Sequence, residues 1–126
     1  MACVFGGNAV TSDLFAERFA AVRQRFAANL DARIDEIENT VPRLGTGGTL
    51  DALALAHRRA HDLCGVGPTM GFVITGQAAR SVEQLLLAAV KAQRTLTDDE
   101  LVRLREGIAQ LRAAAAAEVH PAAGQG

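Results

Sequence analysis

The reading of this chain turns on Arg58-Arg59-Ala60-His61-Asp62-Leu63-Cys64-Gly65-Val66-Gly67-Pro68-Thr69-Met70-Gly71-Phe72. On a helix of 3.6 residues per turn, Leu53, Ala56, Ala60 and Leu63 fall on one stripe, while Ala54, His57, Arg58, His61, Cys64 and Gly65 fall on the adjoining one. The first stripe is apolar and fits a core. The second is mixed and predicts a face towards solvent, with His61 on it. Thr49 is a suitable cap for the start of this helix. Gly67-Pro68 are expected to end or break it, because proline lacks the amide donor and disfavours helical geometry just before it. Taken alone, a histidine on an amphipathic helix is an ordinary half-buried polar residue. The glycine one turn beyond it is less ordinary, since it costs a helix about 1 kcal/mol relative to alanine.

Upstream, Phe15, Phe19, Val22, Phe26, Leu30, Ile34, Ile37 and Val41 recur three or four residues apart behind a cap at Ser12 or Asp13. That spacing predicts an amphipathic helix to about Asn39, ahead of Pro42, with Arg18, Arg25, Asp31, Asp35 and Glu36 on its solvated side. Gly45-Thr46-Gly47-Gly48 reads as a flexible connection. A phosphate-cradling loop there would need a strand before it and a Lys-Ser/Thr pair after it, and neither is present. Downstream, Phe72 to Arg94 reads as a third helix, with Val73, Ala78, Val82, Leu85, Leu86, Ala89 and Val90 forming a broad apolar face. Thr97-Asp98-Asp99-Glu100 is a capping box that opens a fourth, with Leu101, Leu104, Ile108, Leu111 and Ala115 on one side. Four helices on short connections, each with one apolar stripe, predict an all-α fold: an antiparallel up-down-up-down four-helix bundle over residues 12–118. A flexible leader at 1–11 and a flexible tail at 119–126 are expected on either side.

Ala60 directly before His61, Leu63 two residues after it, Gly65 four after it, and the pair Met70-Gly71 nine and ten after it together resemble the phosphohistidine motif of histidine phosphotransfer (HPt) domains. Thr69-Met70-Gly71-Phe72 is also similar to the phosphotransfer domain of chemotaxis histidine kinases. The resemblance runs from the His61 helix to the end of the fourth helix. It implies a phosphorelay intermediate of two-component signal transduction, in which His61 is the phosphorylated nucleophile and exchanges phosphate with aspartates of response-regulator receiver domains or with a sensor histidine kinase. It further implies that Gly65 keeps the face open to the partner. Glu83, 22 residues after His61 and preceded by the apolar Val82, would accept a hydrogen bond from the histidine ring and fix its tautomer. The plainer reading of Glu83 is a surface carboxylate paired with Arg80 or Lys91. One position departs from the family pattern, which usually has lysine three residues after the histidine where this chain has Cys64. Arg58 is the candidate to supply the missing positive charge, and the alternative for it is a solvated surface arginine. No cofactor is implied in this chain. The Mg²⁺ and most of the catalysis would belong to the receiver or kinase, so a phosphocarrier is expected rather than an enzyme.

Two other classes stay open on the sequence. His57, His61 and Cys64 stand at i, i+4 and i+7 on one helix, a spacing that suits a helical metal-binding protein if Glu83 or His120 closes the site. The missing lysine also allows a transfer-inactive bundle that only docks a signalling partner.

Composition narrows the field further. A length of 126 residues suits one domain with one core. Aromatic residues are 4% of the chain, with no Trp or Tyr, which leaves almost nothing to stack on bases, and a net charge of −1 gives no general attraction to nucleic acid or anionic membranes. Cys3 and Cys64 lie far apart without a CxxC spacing, and residues 1–10 lack the pattern of an export signal. No apolar run approaches the roughly 20 residues of a membrane span. A cytoplasmic location, a monomeric state and partners that are neither nucleic acid nor membrane are therefore expected.

Overall fold

Alanine, leucine and arginine dominate the long segments, all of them good helix formers, and the breaks fall where proline, glycine or a capping threonine interrupts them. The structure, a computed structural model, describes the backbone of residues 2–120 and the side chains of residues 13–120. Along the chain run α1 (Ala2–Glu38), a 3-10 turn (Val41–Arg43), α2 (Leu50–Thr69), α3 (Val73–Ala92) and α4 (Asp98–Val119), with no strand among the described residues. No described helix is long and apolar enough to cross a membrane.

Consecutive helices pack as antiparallel neighbours and α4 closes against α1, which makes a four-helix bundle. Each contributes one stripe to a common core: Leu30, Ile34 and Ile37 from α1, Leu53, Ala56, Ala60 and Leu63 from α2, Ala79, Val82, Leu86 and Ala89 from α3, and Leu104, Ile108, Leu111 and Ala115 from α4. Arg112 of α4 ties onto Asp35 and Glu38 of α1, the latter at 2.6 Å. At one end of the bundle, the Leu96 amide donates to the Leu44 carbonyl at 2.8 Å and joins the two connections there. At the other, Glu118 in the last turn of α4 accepts from the first amides of α3: Ile74 N at 3.1 Å, Thr75 N at 2.6 Å and the Thr75 hydroxyl at 2.7 Å. Phe72, the N-cap residue of α3, has no side chain that could do this, so α4 caps α3 across the bundle.

Several expectations are corrected. Helix α1 begins well before the Ser12-Asp13 cap, taking in the backbone of the stretch expected as a leader. That stretch contains no proline, and Gly6-Gly7 weakens a helix without removing a donor. The expected tail holds the last residue of α4, Val119, and its cap, His120, while residues 121–126 lie outside the described ones. The apolar stripe of α1 is buried only from Phe26 onward, whereas Phe15 is 70% exposed and Phe19 and Val22 are also open to solvent. The reason is length. Helix α1 has 37 residues against 20 in α2, and Phe26 already packs on Phe72 at the α2–α3 turn, so earlier residues run past the end of the bundle. Helix α2 continues through Pro68 to Thr69 before the Met70 amide closes it on the Val66 and Gly67 carbonyls, both at 3.1 Å. The glycine-rich connection is a tight turn, in which a Cβ at Gly48 would stand 1.9 Å from the Arg43 carbonyl oxygen.

The capping box of α4 is present as expected and carries an addition. Arg94 donates to both oxygens of Glu100, at 2.7 and 3.1 Å, while the Thr97 amide donates to Oε1 at 2.9 Å. The arginine first, and the Thr97 amide after it, hold this carboxyl down from about 4.5 to about 2. A carboxyl depressed in the folded state contributes its full stability above the unfolded value, about 4.5, and loses it as pH falls towards about 2. Thermal melts should therefore show Glu100→Gln below the wild type at neutral pH, with the gap closing across that acidic window; a gap unchanged at pH 2 contradicts the assignment.

Candidate functional site

Helix α2 presents the two stripes its sequence describes. Leu53, Ala56, Ala60 and Leu63 are buried, His57 and Cys64 are half-buried, and Arg58, His61 and Gly65 are exposed. The His61 side chain is 67% exposed, whereas that of Glu83 on α3 is 15% exposed. Between them the His61 Nδ1–H donates to Glu83 Oε2 at 2.6 Å. The carboxylate is thus anchored at the helix seam while the imidazole stands outward. An acceptor on Nδ1 puts the ring proton there and leaves Nε2 with its lone pair, facing water. The structure places Glu83 on His61 and not on Arg80 or Lys91.

The remaining residues of the face differ in what they can offer. Arg58 is exposed and has no carboxylate within ion-pair distance among the described residues, whereas its neighbour Arg59 is committed to Glu36 at 3.0 Å. Cys64 turns partly into the core and packs against it. Gly65 is open: a Cβ built there meets nothing within 4 Å. The fold therefore sets no steric demand for glycine at this position. By contrast, a Cβ at Gly76 would come within 2.6 Å of the Pro68 ring, and Gly67 faces Gly76, so those two glycines bring α2 and α3 close. Gly71 is required by its positive φ of 88° in the turn between the helices.

The metal triad is not assembled. Among the described residues, no group of three or more His, Cys, Asp or Glu side chains is placed to hold a metal ion. His61 Nδ1 is engaged by Glu83, Nε2 of His57 is shut away from solvent, Cys64 leans into the core, and His120 sits at the end of α4. Sequence reasoning did not foresee that the rings of His57 and His61 lie nearly parallel, 21° between planes with centroids 6.1 Å apart. Their i, i+4 spacing was the available signal. Nor did it foresee the cap that Glu118 places on α3, which joins residues 43 or 44 apart in sequence.

Four antiparallel helices that hold one solvent-facing histidine against an anchored carboxylate define a class of helical-bundle protein in which the reactive group is a ring nitrogen on an open surface. A family model described as Hpt domain matches residues 21–114, and the chain belongs to that family. No curated protein and no solved structure matches it. HPt domains are phosphocarrier modules of two-component signalling that interact with histidine kinases and response regulators.

The hydrogen bond to Glu83 makes a spectroscopic prediction. Long-range ¹H–¹⁵N spectra of the wild type should show His61 with its proton on Nδ1, and Glu83→Ala should shift the population towards Nε2–H. An unchanged tautomer in Glu83→Ala would separate the carboxylate from that role.

Proposed function

We propose that His61 accepts a phosphoryl group on Nε2 from the aspartyl phosphate of a receiver domain and returns it to a receiver aspartate. The observation that carries this reading is the 2.6 Å bond from Nδ1 to Glu83, which leaves the outward nitrogen unprotonated. In the forward step the Nε2 lone pair forms the N–P bond while the P–O bond to the aspartate breaks, and the carboxylate leaves with that electron pair. The Nδ1 proton stays between the ring and Glu83, whose charge offsets the positive charge gained by the ring. Mg²⁺ would come with the receiver, and this chain contributes the nucleophile and its orientation. Arg58 supplies positive charge beside the phosphoryl group, since Cys64 is a neutral thiol where the family usually has lysine. Gly65 leaves room for the docked partner. A cytoplasmic location follows from the same reading, because kinase and receiver chemistry depends on cytoplasmic ATP.

The test is incubation with a phosphorylated receiver and magnesium, scored by acid-labile label. His61→Gln should take none while keeping the helical circular-dichroism spectrum and Tm, because an exposed side chain contributes little to the core; label persisting in that variant removes His61 from the mechanism. Gly65→Gln should melt at or above the wild-type temperature, by up to about 1 kcal/mol of helix propensity, yet slow transfer tenfold or more. Normal transfer by Gly65→Gln would place the docking surface elsewhere.

A further inference from the structure

We infer that His57 is a ligand of the phosphoryl group carried by His61, donating a hydrogen bond from Nδ1–H to a phosphoryl oxygen. The inference rests on the reading of His61 as phosphoacceptor and adds a residue that the family pattern does not assign. His57 stands one turn before His61 on the same side of α2, its ring nearly parallel to that of His61 at 6.1 Å between centroids. The ring is half-buried, and its Nε2 is buried with no hydrogen-bond partner among the described residues. A buried N–H without an acceptor costs about 1–3 kcal/mol in desolvation, and orphaned N–H groups are rarer in native proteins than under-used acceptors. The proton of neutral His57 is therefore assigned to Nδ1. That nitrogen makes no hydrogen bond among the described residues and is not among the buried unpaired atoms, so Nδ1–H is open to solvent.

A histidine in this place gives the fold nothing that leucine or phenylalanine would not give better, because one of its two ring nitrogens is buried without a partner among the described residues. The polar edge left outside is then the part with a use. A phosphoryl group on His61 brings close to two negative charges and three acceptor oxygens to a ring whose centroid lies 6.1 Å from that of His57. Cys64 offers only a weak donor, and Arg58 is an exposed cation with no ion-pair partner among the described residues. His57 adds a donor whose direction is fixed because its ring is held.

Two substitutions separate this role from a structural one. His57→Phe keeps a ring and removes both nitrogens; it should melt at or above the wild-type temperature, since the buried orphan is gone. It should also move the phosphotransfer equilibrium towards the receiver by about fivefold, the worth of one net hydrogen bond. His57→Asn places an amide N–H near the position of Nδ1 in a smaller side chain; it should melt lower, yet hold the equilibrium within about twofold of the wild type, well inside the worth of that bond. A purely packing residue cannot give opposite orders for stability and for phosphate retention. An unshifted equilibrium in His57→Phe, or equal shifts in both variants, overturns the inference while leaving His61 in place. A wild type that takes no acid-labile label overturns the parent reading and this one with it. Independently of any variant, ¹H–¹⁵N spectra of the wild type should show His57 with its proton on Nδ1; a proton on Nε2 overturns the inference.

Discussion

The hydrogen bond from His61 to Glu83 joins two helices, so it survives only while α2 and α3 keep one register. A slip by a single residue moves one helix about 1.5 Å past the other, enough to break a contact of 2.6 Å. Much of the remaining structure holds that register. Gly67 and Gly76 let the two backbones approach where Pro68 sits, and a side chain at Gly76 would collide with the proline ring. The turn between the helices closes through the Phe72 amide on the Gly67 carbonyl at 2.8 Å, while Arg23 of α1 donates to the Met70 carbonyl at 2.8 Å and lies over the Phe72 ring. Glu118 fixes the start of α3 from α4. Helices α1 and α4 therefore act on the site without touching it.

The same bond reconciles exposure with order. A side chain two-thirds open to water ordinarily samples several rotamers, and ordering it costs entropy. His61 is steered instead by a carboxylate that is itself only 15% exposed, so the open side chain is held by one largely enclosed between the helices. Hydrogen bonds to an ionised acceptor are roughly twice as strong as neutral ones, and reduced access to water strengthens them further. The neutral ring is thereby presented in one tautomer and one direction, as an encounter with a second protein requires.

What the sequence made legible were features with short periods. The stripe Leu53-Ala56-Ala60-Leu63, the capping box at Thr97 and the Thr49 cap are local patterns, and each appears as expected. The link from His61 to Glu83 was legible only through family resemblance, because nothing local relates residues 22 apart on different helices. Helix ends were the weakest part. The periodicity of α1 runs unbroken from Phe15 to Ile37, but burial depends on where the partner helices stop, and one strand of pattern carries no information about the length of the others. Pro68 was expected to end or break α2; it has no amide to donate to the preceding turn, yet the helix runs one residue further, to Thr69, and stops there. The cap from Glu118 and the buried edge of His57 were invisible for the same reason, since both are properties of what packs on a residue and not of the residue.

Position 64 shows how the electrostatics of the face fit together. An ammonium about 4 Å from a phosphoryl oxygen near a protein surface is worth up to about 4 kcal/mol before screening, and exposed pairs retain at most about 1 kcal/mol of it. Replacing lysine by a thiol that turns towards the core therefore removes a modest term, of the size one directional hydrogen bond or one exposed arginine can return. On the proposed reading the phosphoryl group is held by donors that are individually weak and by no fixed cation. A relay intermediate benefits from that balance. Stabilisation of the group on His61 that is not carried into the transition state adds to the barrier for giving it back, so on that reading a face with an open Gly65 and no fixed cation keeps both directions of transfer accessible.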